Sequence, residues 1–380
     1  MLGAGVFVAL APAAAAAGSA LLIGLAVAAV VAYCSATSSA RLAVLHPQSG
    51  GTYVYGRERL GPFWGYLAGW SFVVGKTASC AAMALTVGVY AWPTHAHAVA
   101  VAAVVVLTAV NTVGVQKSAW LTKVIVVVVL AVLAAVVGAI ATSGGADVSR
   151  LALHDASALG VLQAAGLCFF AFAGYARIAT LAEEVRDPTT TIPRAIRIAL
   201  ALVLVVYAAV AVAVLAQLSS ARMASATAPL ADAVTAAGHP ALTPVVRVGA
   251  TIAALGSLLA LILGVSRTAL AMARDRHLPP ALAVVHPRFA TPYRAELVVG
   301  VVVAVLAGVL DLRGAIGFSS FAVLVYYAIA NASAFTLGAR LIPVMGLAGC
   351  VLLAVTLPMT SVLTGIAVVL VGAALYAVRR

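Results

Sequence analysis

The chemistry this sequence offers is carried by two short stretches of backbone. Gly3-Ala4-Gly5-Val6-Phe7 and Phe170-Ala171-Phe172-Ala173-Gly174-Tyr175 each set glycine and alanine inside an otherwise apolar run. Glycine lets the backbone turn out of helical geometry and lets other groups approach it closely. A helix interrupted there leaves N–H groups free on one side of the break and C=O groups free on the other. The N-terminal end of a helix carries partial positive charge and suits a carboxylate, while freed carbonyls suit an ammonium group. The first stretch offers the amides and the second the carbonyls, so together they fit a small zwitterion. The competing reading is that small residues merely allow helices to pack closely. Two breaks at corresponding places in the chain favour a binding site, with Gly3, Ala4, Gly5, Val6, Phe170, Ala171, Phe172, Ala173, Gly174 and Tyr175 lining it.

Charged side chains near these breaks are few. Lys76, in Phe72-Val73-Val74-Gly75-Lys76, is the one clear charge deep in an apolar segment. A cation at membrane depth is costly and marks a pathway or a coupling role, unless its long stem snorkels to an interface. Arg177 follows the second break, and Glu183, Glu184, Arg186 and Asp187 close that segment. These residues are expected to gate by making and breaking ion pairs with the basic loops around Arg57 and Arg274; a merely solvated helix end is the alternative. His95 and His97 lack the acidic or thiol neighbours of a metal site, and the four cysteines show no C-x-x-C spacing. No metal and no cofactor is expected.

The elements that must position these groups follow from composition. The 380-residue chain is 64% hydrophobic and 8% charged, with mean hydropathy +1.16. A soluble globule of this size needs a far more polar exterior, so the bilayer is the solvent. A crossing takes about 20 apolar residues. Eleven such segments are expected, at 16–41, 63–91, 97–115, 121–142, 158–183, 195–218, 243–273, 295–311, 314–339, 341–358 and 361–378, preceded by the short segment 2–11, which reads as the second half of a helix. If the short segment exits outward and the spans alternate, sixteen basic residues fall inside. Only Arg150, Arg222, Arg247 and Arg313 fall outside, and Lys76 and Arg177 lie within spans. That asymmetry predicts a multi-pass protein of the cytoplasmic membrane with both termini cytoplasmic once the first helix is whole. The net charge of +12 sits at segment ends and gives no footprint for nucleic acid. Five spans separate the two breaks. This predicts one domain over residues 1–380 built as inverted repeats, 1–143 (with a truncated first helix) and 158–339, plus two further helices in 341–380. A membrane enzyme would need carboxylate or histidine clusters at depth, a channel would need a charged ring or a repeated filter, and a pump driven by ATP would need a phosphate-binding loop. None of these patterns is present.

Four motifs in order now carry a resemblance. Gly3-Ala4-Gly5-Val6-Phe7 is similar to G-[SAT]-G-[IV]-F. The loop from Pro47 through Gly50-Gly51-Thr52-Tyr53-Val54-Tyr55 to Gly61 and Gly69-Trp70 is similar to P-x-[SA]-G-G-x-Y-x-Y…G…G-W. Phe169–Arg194 resembles F-F-A-F-x-G-[FY]…E-E-x-x-[DN]-P…I-P-R, and Ser266–Pro279 resembles S-R-x-x-x-x-M-A-R-D-x-x-L-P. The chain thus resembles the amino acid–polyamine–organocation superfamily of permeases. The resemblance implies an all-α leucine-transporter-type 5+5 inverted-repeat fold with two C-terminal helices. It also implies alternating access and a substrate with an α-amino-acid head, moved across the bilayer with protons as a partner. Relatives begin some tens of residues before the glycine pair, which points to a start upstream of Met1. Many also carry an acidic residue where this chain has Ala176. A pocket without that carboxylate favours a neutral amino acid; an amino acid/polyamine exchanger, a non-transporting sensor and a truncated remnant are the alternatives.

Overall fold

The computed structural model describes residues 3–46, 50–114, 119–153, 156–175 and 187–378. Every regular element among them is helical. The order is α1 (Gly5–Val8), α2 (Leu10–Ala17), α3 (Leu21–Leu45), α4 (Thr52–Leu60), α5 (Pro62–Ala91), α6 (Ala96–Thr112), α7 (Ala119–Thr142), α8 (Ala158–Phe172), α9 (Pro188–Ser225), α10 (Pro229–Ala236), α11 (Thr243–Arg274), α12 (Tyr293–Val309), α13 (Leu312–Phe335), α14 (Leu341–Thr356) and α15 (Met359–Val378). Eight of the helical stretches are long and apolar enough to cross a membrane, and α8 and α14 are shorter apolar helices. Each of the eleven expected spans has a helix at its place in the chain.

Local chemistry explains the boundaries. Pro12 has no N–H to give the Val8 carbonyl, so the opening helix divides at Ala9 into α1 and α2. Gly61, at φ 107°, ends α4 and starts α5 in a corner that a side chain would strain, and Pro62 takes the first position of α5, where its missing N–H costs nothing. The span expected at 195–218 is longer than its pattern implies. α9 opens on Pro188 and reaches Ser225, and Ser219 at φ 66° interrupts it.

Two helices form the centre. In their most apolar windows, α5 is 83% and α13 78% buried, whereas α6 and α15 are 17% and 28% buried. α5 and α13 pack along their lengths, with Gly75 against Ala322 and the Ser79 and Ser319 hydroxyls sharing a hydrogen bond of 2.6 Å. α11 lies along another side of α5. The outer helices turn valine and leucine outward, as at Val127, Val301, Val305, Leu363 and Leu370. That outward apolar face is what a lipid solvent requires.

Candidate functional site

The short opening helix and α8 meet at their broken ends. A Cβ on Gly5 would stand 2.7 Å from the Ala171 Cα, so the contact is backbone against backbone and only glycine fits. The Phe7 amide bonds the Ala4 carbonyl at 3.0 Å, and the Gly5 and Val6 amides before it are the ones that a helix start leaves without an acceptor of its own. The Phe7 carbonyl, one turn on, is held by the Tyr90 hydroxyl at 2.8 Å, with the two rings edge to face. Ala4, Gly5 and Val6 are buried.

α8 ends at Phe172, and Ala173–Tyr175 forms a single 3-10 turn. The carbonyls left at that end are met by side chains from three other helices. Tyr207 of α9 donates to the Ala171 carbonyl at 3.3 Å. Lys76 Nζ of α5 and the Tyr327 hydroxyl of α13 both donate to the Ala173 carbonyl, at 3.3 Å and 3.4 Å. Lys76 is 6% exposed, so it does not snorkel to an interface. It stands at the negative end of a helix dipole, where a cation is favoured. Phe172 packs on the Tyr207 ring and Phe169 on the Tyr327 ring, which fixes both hydroxyls over the break. Phe170, Ala171 and Ala173 are buried and Gly174 is exposed.

The structure therefore brings Gly5, Ala171, Ala173 and Lys76 together. Arg177, Glu183, Glu184 and Arg186, together with Ala176, lie outside the described residues, as does the side chain of Tyr175. Among the described residues the Arg57 loop meets the segment after α11. Arg57 Nη1 bonds Asp275 at 2.8 Å, and the Tyr53 hydroxyl bonds the same carboxylate and lies 2.8 Å from His277 Nδ1. Burial and the Asp275 carboxylate push the Tyr53 phenol above its ordinary range, so it keeps its proton as a donor. His277 also sits between the rings of Tyr66 and Tyr376. Two of the four motifs, 222 residues apart at this bond, thus meet in one cluster. Sequence reasoning did not find Tyr207 or Tyr327, because a tyrosine in an apolar span carries no sign of which carbonyl it serves.

Residues 1–378 match the sequence profile of the amino acid permease family. The chain belongs to that family. This permease is 70% identical over 387 residues to an uncharacterized transporter of Mycobacterium tuberculosis (strain H37Rv), covering 100% of this chain and 88% of that protein. It is 30% identical over 366 residues to the chloroplastic cationic amino acid transporter 7 of Arabidopsis thaliana, covering 88% of this chain and 62% of that one. A branched-chain amino acid permease of Bacillus subtilis is 25% identical over 336 residues, covering 82% and 72%. These matches place the permease in the amino acid–polyamine–organocation superfamily and make it a multi-pass membrane transporter.

Proposed function

We propose that this permease is a secondary active transporter that moves a neutral amino acid across the cytoplasmic membrane by alternating access, coupled to protons. The observation that carries the reading is the meeting of α1 and α8 at their breaks, with Lys76 on the Ala173 carbonyl. The amides of α1 receive the substrate carboxylate, and the carbonyls closing α8 receive its ammonium. Both groups are prepared before substrate arrives, so little reorganisation is needed on binding. Lys76 already supplies one positive charge at those carbonyls. The zwitterionic head adds no net charge beside Lys76, its ammonium being offset by its own carboxylate, whereas a cationic side chain adds one in a low dielectric, which favours a neutral substrate over an arginine or polyamine. The meeting of the two breaks also supports repeats at 1–143 and 158–339, related by inversion, with 341–380 added outside them.

Uptake of a panel of radiolabelled amino acids into proteoliposomes, with and without an inward proton gradient, tests this. Gradient-driven accumulation of a neutral amino acid is the expected result. Uptake that needs internal amino acid and ignores the gradient would replace symport with exchange, and preferential uptake of arginine or lysine would overturn the neutral assignment.

A further inference from the structure

Glu296 is an acidic side chain for which the transport site has no use. It lies in the first turn of α12, has no exposed surface, and among the described residues neither of its carboxylate oxygens finds a hydrogen-bond donor. A buried carboxylate without a partner is among the costliest groups to keep ionised, and a proton removes that cost. Its position is fixed from both sides. Five residues before it, Thr291 Oγ1 donates to the Thr112 carbonyl at 3.0 Å, tying the approach to α12 to the end of α6. One turn after it on the same face, Gly300 lies against Thr108 of α6 so closely that a Cβ would stand 2.5 Å from Thr108 Oγ1. Thr108 Oγ1 is itself buried with no partner. Asn111, a turn further along α6, donates to the Leu259 carbonyl of α11 at 3.2 Å and closes the third side.

Of the helices packed against α12, α11 carries Arg267 and Arg274 and α5 carries Lys76; α12 itself carries Tyr293 and Arg294, and the connection before it His286 and Arg288. α6 brings the neutral Thr108 and Asn111 to this end, and Lys117 beyond it lies outside the described residues. Among the described residues none forms an ion pair with Glu296; Arg267, which is exposed, is the cation whose field reaches it.

We propose that Glu296 is a proton-binding site of the transport cycle, holding a proton while enclosed by α6, α11 and α12 and releasing it when those helices part at this end. This rests on the transporter reading above. A proton suits the site better than a metal cation, because two carboxylate oxygens and one hydroxyl fall short of the oxygen shell a cation takes. When the site opens, water solvates the carboxylate and Arg267 draws it to the ionised form, so the proton leaves toward the side on which the basic loops lie.

Two measurements decide it. Dicyclohexylcarbodiimide, an apolar reagent that adds to protonated carboxyls, is expected to modify wild-type protein at Glu296, located by peptide mass, with labelling that falls as pH rises and is absent in E296Q. In proteoliposomes E296Q, which keeps shape and neutrality, is expected to retain amino acid exchange at wild-type rate and to lose at least tenfold of accumulation driven by an inward proton gradient. Replacing sodium with choline is expected to change neither result. Absence of pH-dependent labelling at Glu296 would overturn the proton site, as would E296Q accumulation equal to wild type or accumulation that follows a sodium gradient. Wild-type protein that labels at Glu296 and moves no amino acid would sink the transporter reading and leave the proton site standing.

Discussion

Lys76 and Glu296 are opposite cases at the scale of single residues. Both are buried ionisable groups, yet one is held by a carbonyl at a helix end and the other by no hydrogen bond among the described residues. Lys76 stood out in the sequence as an isolated lysine in an apolar run, and its burial removes the competing reading of a stem snorkelling to an interface. Glu296 did not stand out, because Tyr293-Arg294-Ala295-Glu296 reads as an ordinary polar helix start. The Lys76→Met variant separates folding from function. Methionine fills nearly the same volume and removes a buried charge with no carboxylate beside it, so the melting temperature in detergent is expected to hold or rise. Uptake is expected to fall about tenfold or more, since the charge at the Ala173 carbonyl is gone, while the remainder keeps the proton-gradient dependence assigned to Glu296. Wild-type uptake would reduce Lys76 to packing.

At the scale of elements, α4 and the end of α11 are joined by bonds of unequal weight. The Arg57–Asp275 pair is roughly a third exposed on both sides and, as a screened surface pair, contributes about 0.2–1 kcal/mol. Tyr53 is 2% exposed, so without Asp275 its buried hydroxyl would lose a charged acceptor, and that bond outweighs the screened pair. The Tyr53→Phe and Asp275→Asn variants are each expected to lower the melting temperature, and the double variant to lower it by less than the sum, because they break the same bond. Additive losses would mean that the two residues act separately. The existence and order of the helices were legible from hydropathy, as was the close backbone approach at Gly5, through the glycine pair. The joining of α4 to α11 was not. Asp275 stands within one of the matching motifs and Arg57 within the span of another, and sequence distance says nothing of which loops fold together.

For the whole molecule, side-chain contacts sort the basic residues into two ends. Arg41 reaches the Ala339 carbonyl and Arg59 the Thr336 hydroxyl, at the end that holds Arg57 and Asp275. Arg150 reaches the Ala216 carbonyl, Arg247 that of Tyr90 and Arg313 that of Ala224, at the other. Three of the sixteen residues and three of the four that the alternation of spans separates are placed this way, each trio at one end of the bundle. Which end faces the cytoplasm then rests on the positive-inside asymmetry, and it is open to direct test. Cys34, Cys80, Cys168 and Cys350 are all buried, so they should stay silent to a membrane-impermeant maleimide and no cysteine-free background is needed. Thr227 and Glu58 are both exposed, one at each end. The Thr227→Cys variant is expected to label in intact cells, and Glu58→Cys only after the membrane is permeabilised. The reverse pattern would invert the topology and with it the direction in which Glu296 releases its proton, while labelling of both in intact cells would mean that the two ends share one side of the membrane.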